Sequence, residues 1–93
     1  MLNFSEYPAI PDYTRDALTG YIEHGIPVGD FLKCVLCNDF MGGVGLADKW
    51  NSVALKDIAS WIWIYAPAEC WGNEAKYLRW TKKHPVVQKV RKS

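Results

Sequence analysis

The sequence predicts one all-α domain over residues 1–93, folded as a small bundle of about four helices. A chain of 93 residues has room for one hydrophobic core, and its 49% hydrophobic content is enough to fill it. Several segments repeat apolar residues at intervals of three and four, as amphipathic helices do. An alternating strand pattern is visible only weakly, around residues 85–90.

The first half of the chain predicts an irregular lead-in over residues 1–10 and two helices. Pro11 is suited to a helix start and Gly25 to a stop, which gives a first helix over 11–24. Asp30 is expected to cap a second helix that ends near residue 41. Three glycines then predict a weak or bent segment, followed by helical turns over 44–50; they are Gly42, Gly43 and Gly45.

The second half predicts two further helices. Ser52 or Asn51 is expected to cap the third, which Pro67 ends. Its predicted inward stripe is Leu55, Ile58, Ala59, Ile62 and Tyr65, widened by Trp61 and Trp63. Because residues 61–65 are apolar on nearly every side, this helix is expected to be central or covered by a second subunit. After a loop over 66–72, Asn73 caps the fourth helix, Pro85 closes it, and a basic tail follows over 85–93.

Charge is unevenly distributed along the chain. The net charge is +1, yet residues 1–81 contain ten acidic and six basic residues, while residues 82–93 contain five basic residues and no acid. Such a tail is either a solvated terminus or a contact for nucleic acid or another acidic partner. The start of the chain lacks a secretory pattern, and no apolar run approaches the roughly 18 to 20 residues that cross a bilayer. Together with an odd cysteine number, this predicts a cytoplasmic protein with no membrane contact.

Motifs for catalysis are absent, so we expect no enzyme activity and no catalytic residues. The sequence contains no G-x-S-x-G, Walker or H-E-x-x-H pattern. The carboxylates Asp39, Asp48 and Asp57 are nine residues apart. On a continuous helix successive members would point to opposite faces, which does not make a paired acid–base site.

A zinc site is the one metal hypothesis that the cysteines raise. Cys34 and Cys37 form a C-x-x-C pair, and the further ligands available are Cys70, His24 and His84. The pair lies within an amphipathic helical segment, and a second C-x-x-C is missing. We therefore expect half-buried small hydrophobic residues here, with no metal and no cofactor.

A set of polar residues in the apolar middle of the chain predicts a ligand-binding site. Asn38, Asp39, Asp48 and Asn51 lie near the flexible glycines and offer short donors and acceptors, although the same residue types make ordinary helix caps. Trp71 stands in a loop, where a flat ring can stack on a base or a peptide or can plug the bundle end. Gly72 and Arg15 complete the predicted set.

Nucleic acid is an alternative ligand. Basic and aromatic residues interleave over residues 76–83 (KYLRWTKK), so a helix there has a face that suits phosphate. The acidic remainder of the chain and the lack of a helix-turn-helix rhythm argue against it.

Six short segments together resemble a family of small phage and prophage proteins. They are residues 10–11 (IP), 25–32 (GIPVGDFL), 36–40 (LCNDF), 47–51 (ADKWN), 66–67 (AP) and 70–72 (CWG). The similarity spans about residues 10–80. The family has no established activity, so the resemblance implies a viral origin.

A viral origin in turn implies a protein that acts stoichiometrically on its bacterial host. The function expected is a homo-oligomeric binding protein that counteracts host defence by sequestering a nucleotide-like immune signal. A protein–protein inhibitor of a host factor is the alternative, followed by nucleic-acid binding through the basic tail.

Overall fold

The structure, a computed structural model, describes residues 2–83 and is all-α over that range. Its helices are α1 (Asp12–His24), α2 (Asp30–Leu36), α3 (Phe40–Leu46), α4 (Lys49–Val53), α5 (Leu55–Tyr65) and α6 (Glu74–Lys82), with a 3-10 turn over Ala68–Cys70. The all-α class is confirmed. The regular four-helix arrangement is not, because six short helices replace it. The predicted end at Pro85 and the basic tail over 85–93 lie outside the described residues.

Three of the predicted helix boundaries follow local chain chemistry closely. Pro11 directly precedes α1, and Gly25 ends it in the left-handed conformation at φ 67°. Asn73 caps α6, where its Oδ1 accepts a hydrogen bond of 2.8 Å from the Lys76 N–H. These boundaries agree with the sequence prediction.

The predicted second helix is interrupted earlier than expected, at residues 37–39. Asn38 has φ 64°, and its N–H donates to the Val35 carbonyl while the Asp39 N–H donates to Cys34. This pair of bonds is a Schellman motif, for which asparagine is one of the few residues suited to the left-handed position. The prediction of a helix to residue 41 is therefore wrong, and the glycines lie inside α3.

Two helix caps also differ from the prediction. Gly29, not Asp30, precedes α2, and Asp30 is its first helical residue. Asn51 lies within α4, as does Ser52, and α5 instead begins after Ala54 without a side-chain cap. Asn51 is drawn into the interior by a tertiary hydrogen bond that local sequence does not reveal.

Aromatic residues hold the core together. Trp61 and Tyr21 are fully buried, and the Tyr21 hydroxyl donates to the Cys70 carbonyl at 2.5 Å. The Trp80 indole N–H donates to the Tyr21 carbonyl at 2.8 Å, which joins α6 to α1. Such bonds satisfy the polar ends of large rings inside an apolar interior.

The lead-in has no helix but packs as part of the core. The Phe4 ring stacks on Trp61 with centroids 4.3 Å apart, and the Trp61 indole donates to the Asn3 carbonyl at 2.8 Å. The Arg15 guanidinium binds the same segment by donating hydrogen bonds to the Ile10 carbonyl at 2.8 Å and to the Pro8 carbonyl at 3.0 Å.

Helix α5 buries only one side. Ile58, Trp61 and Ile62 face inward as predicted, but Ala59, Trp63 and Tyr65, which were also predicted to face inward, are exposed. None of the helices within residues 2–83 combines the length and apolarity needed to span a bilayer.

Candidate functional site

The predicted ligand-binding residues fall into three separate places. Asn38, Asp39 and Trp71 line one groove between α3 and α5, and Gly72 follows Trp71. Asp48 and Asn51 lie at the junction of α1 and α4. Arg15 lies against the lead-in, with the contacts described above.

The residues at the α1–α4 junction are engaged in holding these helices together. The Asp48 carboxylate caps α4 by accepting from the Asn51 N–H at 2.7 Å, and it accepts the Tyr13 hydroxyl at 2.7 Å. These bonds lower the pKa of Asp48, the Asn51 N–H having the larger effect. Asn51 is buried and accepts the Thr14 hydroxyl at 2.6 Å. Their side-chain oxygens therefore already have protein partners.

The α3–α5 groove is an apolar depression of the surface. One part, with a cavity of about 490 Å³, is lined by Val35, Asn38, Asp39, Phe40, Gly43, Leu55, Lys56 and Ala59. The adjoining part, of about 370 Å³, shares Val35, Asn38 and Ala59 and extends to Ser60, Ile62, Trp63, Ile64 and Trp71. It is thus an elongated apolar depression with Asp39 on one side and Lys56 on the other.

Trp71 closes one end of this groove. Its ring meets Trp63 edge-on with centroids 5.6 Å apart. The Trp71 indole N–H is buried and has no hydrogen-bond partner among residues 2–83. Gly72 is set at φ 124°, a conformation strained for other residues, and its N–H donates to the Leu36 carbonyl at 2.7 Å. The Gly72 N–H therefore ties the tryptophan loop to the end of α2.

A second cavity, absent from the predicted set, lies between the 3-10 turn and α6. This basic pocket has a volume of about 350 Å³ and is lined by Ala68, Glu69, Lys76, Arg79, Trp80 and Lys83. Three cations against one carboxylate make it locally positive. Its cations were visible in the sequence, because Lys76, Arg79 and Lys83 recur at intervals of three and four on one helical face.

The three cations of the basic pocket are held differently. The Lys76 ammonium donates to the Ala68 carbonyl at 3.2 Å. Lys83 lies 3.7 Å from Glu69 and 4.7 Å from the centroid of the Trp80 ring. The guanidinium of Arg79 has no ion pair within residues 2–83, so its donors are available to a ligand.

The cysteines give no metal-like arrangement in the described part of the chain. Among residues 2–83, no three His, Cys, Asp or Glu side chains are grouped so as to hold an ion; His84 lies outside that range. Burial raises the pKa of Cys70 to about 11, and desolvation also raises the pKa values of Cys34 and Cys37. All three therefore favour the neutral thiol near pH 7.

Comparison of the chain with protein families, with curated proteins and with solved structures gave no match.

Proposed function

We propose that this chain is a phage-encoded binding protein that counteracts host defence by sequestering a nucleotide-like signal in the basic pocket. The observation that carries the proposal is the combination of Lys76, Arg79 and Lys83 around one cavity that Trp80 helps to line. The resemblance to small phage proteins supports the viral origin. Such a role places the protein in the cytoplasm of the infected bacterium.

The chemistry of this pocket suits a phosphate joined to a flat apolar group. Arg79 offers a planar fork of donors that matches phosphate oxygens, and the two lysines add compact positive charges. Ala68 and the small exposed part of Trp80, a residue that is 8% exposed, add apolar surface beside these cations. The cavity falls within the roughly 300–1,000 Å³ typical of small-ligand sites.

The distribution of charge favours binding of an anion at the basic pocket. Lys76, Arg79 and Lys83 concentrate positive charge around one cavity, although residues 1–81 as a whole have a net charge of −4. Capture without chemistry also fits the sequence, in which catalytic motifs are missing. None of the predicted ligand-binding residues lines this pocket. Ligand binding by Asn38, Asp39 and Trp71 is a separate hypothesis, because these three line the α3–α5 groove.

The test is titration calorimetry with inorganic pyrophosphate, ADP and a cyclic dinucleotide as probes. Arg79→Gln should lower the affinity for the tightest-binding probe by about 10- to 100-fold, because a hydrogen bond to a charged group contributes about 1.5–3 kcal/mol. Lys82→Gln is the matched control, since Lys82 is exposed on the same helix but does not line the pocket. Its affinity should stay close to that of the unmodified chain.

Two results would overturn the proposal. One is that none of the three probes binds; the other is that Lys82→Gln weakens binding as much as Arg79→Gln, which indicates attraction to general positive charge. Tight binding of a single-stranded oligonucleotide, with a steep dependence on salt, would instead support the nucleic-acid alternative.

A stoichiometric inhibitor of a host protein is the second candidate. It is favoured by α4, where Trp50 and Val53 are both exposed although large apolar side chains usually avoid water. Tryptophan is also enriched at the centres of protein interfaces. Capture of one host protein by the unmodified chain and its loss with Trp50→Ala, with probe binding unchanged, would support this candidate.

A further inference from the structure

We infer that Glu69 determines how a ligand lies in the basic pocket, and that the class of ligand is a phosphorylated ribose. The phosphate lies against Lys76 and Arg79, and neighbouring hydroxyl groups of the sugar donate to the Glu69 carboxylate. The inference rests on the proposed function, because it concerns the same pocket. It adds the part of the ligand next to the phosphate, which the three cations alone do not specify.

Positive charge is unevenly distributed within the basic pocket. The Lys83 ammonium lies 3.7 Å from the Glu69 carboxylate, so that end of the pocket is close to neutral. Within residues 2–83 neither Arg79 nor Lys76 has an ion pair, and both line the cavity. The net positive charge is therefore at the Lys76 and Arg79 end, where an anionic group is stabilised most.

Lys76 is held at that end from two sides. Its ammonium donates to the Ala68 carbonyl at 3.2 Å, and its side chain lies against Gly72, where an added Cβ atom would be 3.6 Å from the Cδ and Nζ atoms of Lys76. An ammonium group has three donors, so two remain for a phosphate oxygen. A lysine that is already held loses less side-chain freedom when a ligand binds.

Glu69 is the one carboxylate among the described residues that line the pocket. A carboxylate repels a second anion and accepts hydrogen bonds, so the part of a ligand that contacts it has to present donors. The side chains of Glu69 and Lys83 are 73% and 55% exposed. Because an ion pair this exposed contributes little, Glu69 can turn from Lys83 to a ligand at small cost.

A ribose presents such donors next to a phosphate. Its neighbouring hydroxyl groups are two donors side by side, and the two oxygens of one carboxylate can accept both. Lys76 and Lys83 are seven residues apart, which corresponds to about 10 Å along an α-helix, so a sugar has room between the anionic end and the Glu69 end. A bare polyphosphate has no donor for Glu69 and is repelled by it.

The experiment is titration calorimetry with ADP, 2′,3′-dideoxy-ADP and inorganic pyrophosphate on the full chain and two variants. Glu69→Ala removes the acceptor. Glu74→Ala is the matched control, because it removes an exposed carboxylate from the start of α6 that does not line the pocket. The unmodified chain should bind ADP about three- to tenfold more tightly than 2′,3′-dideoxy-ADP, which is the effect of about one net hydrogen bond.

The two variants should differ in this preference. Glu69→Ala should bind the two nucleotides with equal affinity, and it should bind pyrophosphate about two- to fivefold more tightly than the unmodified chain because the repulsion is removed. Glu74→Ala should keep the preference for ADP. Circular dichroism should show the same helix content in all three proteins.

The outcomes separate this inference from the proposed function. Equal affinity of the unmodified chain for ADP and 2′,3′-dideoxy-ADP would overturn the inference alone, as would a preference for ADP that Glu69→Ala retains. Loss of the preference in Glu74→Ala as well would also overturn it, because the effect would then not be specific to Glu69. Binding of none of the three probes would overturn the proposed function, and this inference with it.

Discussion

The hydrogen bond between Thr14 and Asn51 gives the sharpest test of how this small fold is held together. Both residues are buried, at 2% and 6% exposure, and the bond joins α1 to α4 at 2.6 Å. Thr14→Val keeps the shape of the side chain but removes its donor. A buried acceptor left without a partner costs about 1–3 kcal/mol, so we expect the free energy of unfolding to fall by that amount.

The same bond can be removed from its other side. Asn51→Leu leaves the Thr14 hydroxyl buried without its acceptor and should cost a similar amount. In the double variant neither polar group is left behind, and apolar replacement of both partners is often nearly neutral. The double variant should therefore lose less stability than the two single changes added together, with a coupling of about 1–2 kcal/mol.

Urea unfolding followed by tryptophan fluorescence measures all three variants. A loss of 1 kcal/mol corresponds to about 4–8 °C in Tm for a domain of this length. Tyr13→Phe is the matched control, because it removes a hydroxyl from the same helix whose bond to Asp48 is exposed, and it should change stability by about 0.5 kcal/mol or less. A loss of stability of about 0.5 kcal/mol or less for Thr14→Val would refute the reasoning. So would a double variant whose loss of stability equals the sum of the two single losses.

This experiment also separates two roles for Asn51, which the sequence analysis placed in the ligand-binding set. If the amide oxygen of Asn51 stabilises the fold, variants at this position have a lower free energy of unfolding in the absence of ligand. An Asn51→Leu chain with full stability and no affinity for the nucleotide probes would instead assign the residue to the ligand.

Two further predictions concern the backbone at α2 and the response to alkali. Asn38→Ala should lower the free energy of unfolding in urea by about 1–2 kcal/mol, because the residue is left-handed at φ 64°. Asn38→Gly should leave it nearly unchanged. Equal losses in the two variants would argue against the left-handed conformation. Burial raises the pKa of Cys70 from 9.0 to about 11 and also raises the pKa of Tyr21, so the folded state holds these protons longer than the unfolded chain. Their contribution to stability is complete below the unfolded pKa values and is lost as pH rises through the folded ones. Unfolding free energy should therefore fall between pH 9 and 11, and a flat profile there would contradict the burial of these groups.

Much of the fold followed from local chemistry that operates within one helical turn. Proline before α1, glycine after it and asparagine before α6 act through the backbone bonds of their immediate neighbours, so their effects were predictable without tertiary contacts. The interruption between α2 and α3 was missed because three glycines suggested a break where none occurs. Asn38 instead makes the turn in the left-handed conformation, and the Asp39 carboxylate then caps α3 by accepting from the Gly42 N–H at 3.0 Å.

The binding features were less predictable, because they depend on which surfaces meet. The residues of the α3–α5 groove come from three helices, the turn between α2 and α3, and the loop that contains Trp71. Of the predicted site residues, Asn38, Asp39 and Trp71 line it. The spacing of Lys76, Arg79 and Lys83 indicated a basic face. That this face closes against the 3-10 turn to form a pocket depends on how residues 68–70 pack on α6.

The sequence by itself determined the helical class, the ends of α1 and the start of α6, since these depend on bonds between residues close along the chain. The tertiary structure decided that Asn51 is an interior partner of Thr14, that Arg15 holds the lead-in, and that Phe40 and Trp63 face solvent beside one groove. The reason is physical. Whether a polar side chain caps a helix, lies in the core or contacts a ligand depends on the hydrogen-bonding partner next to it. Packing between distant segments of the chain brings that partner into place.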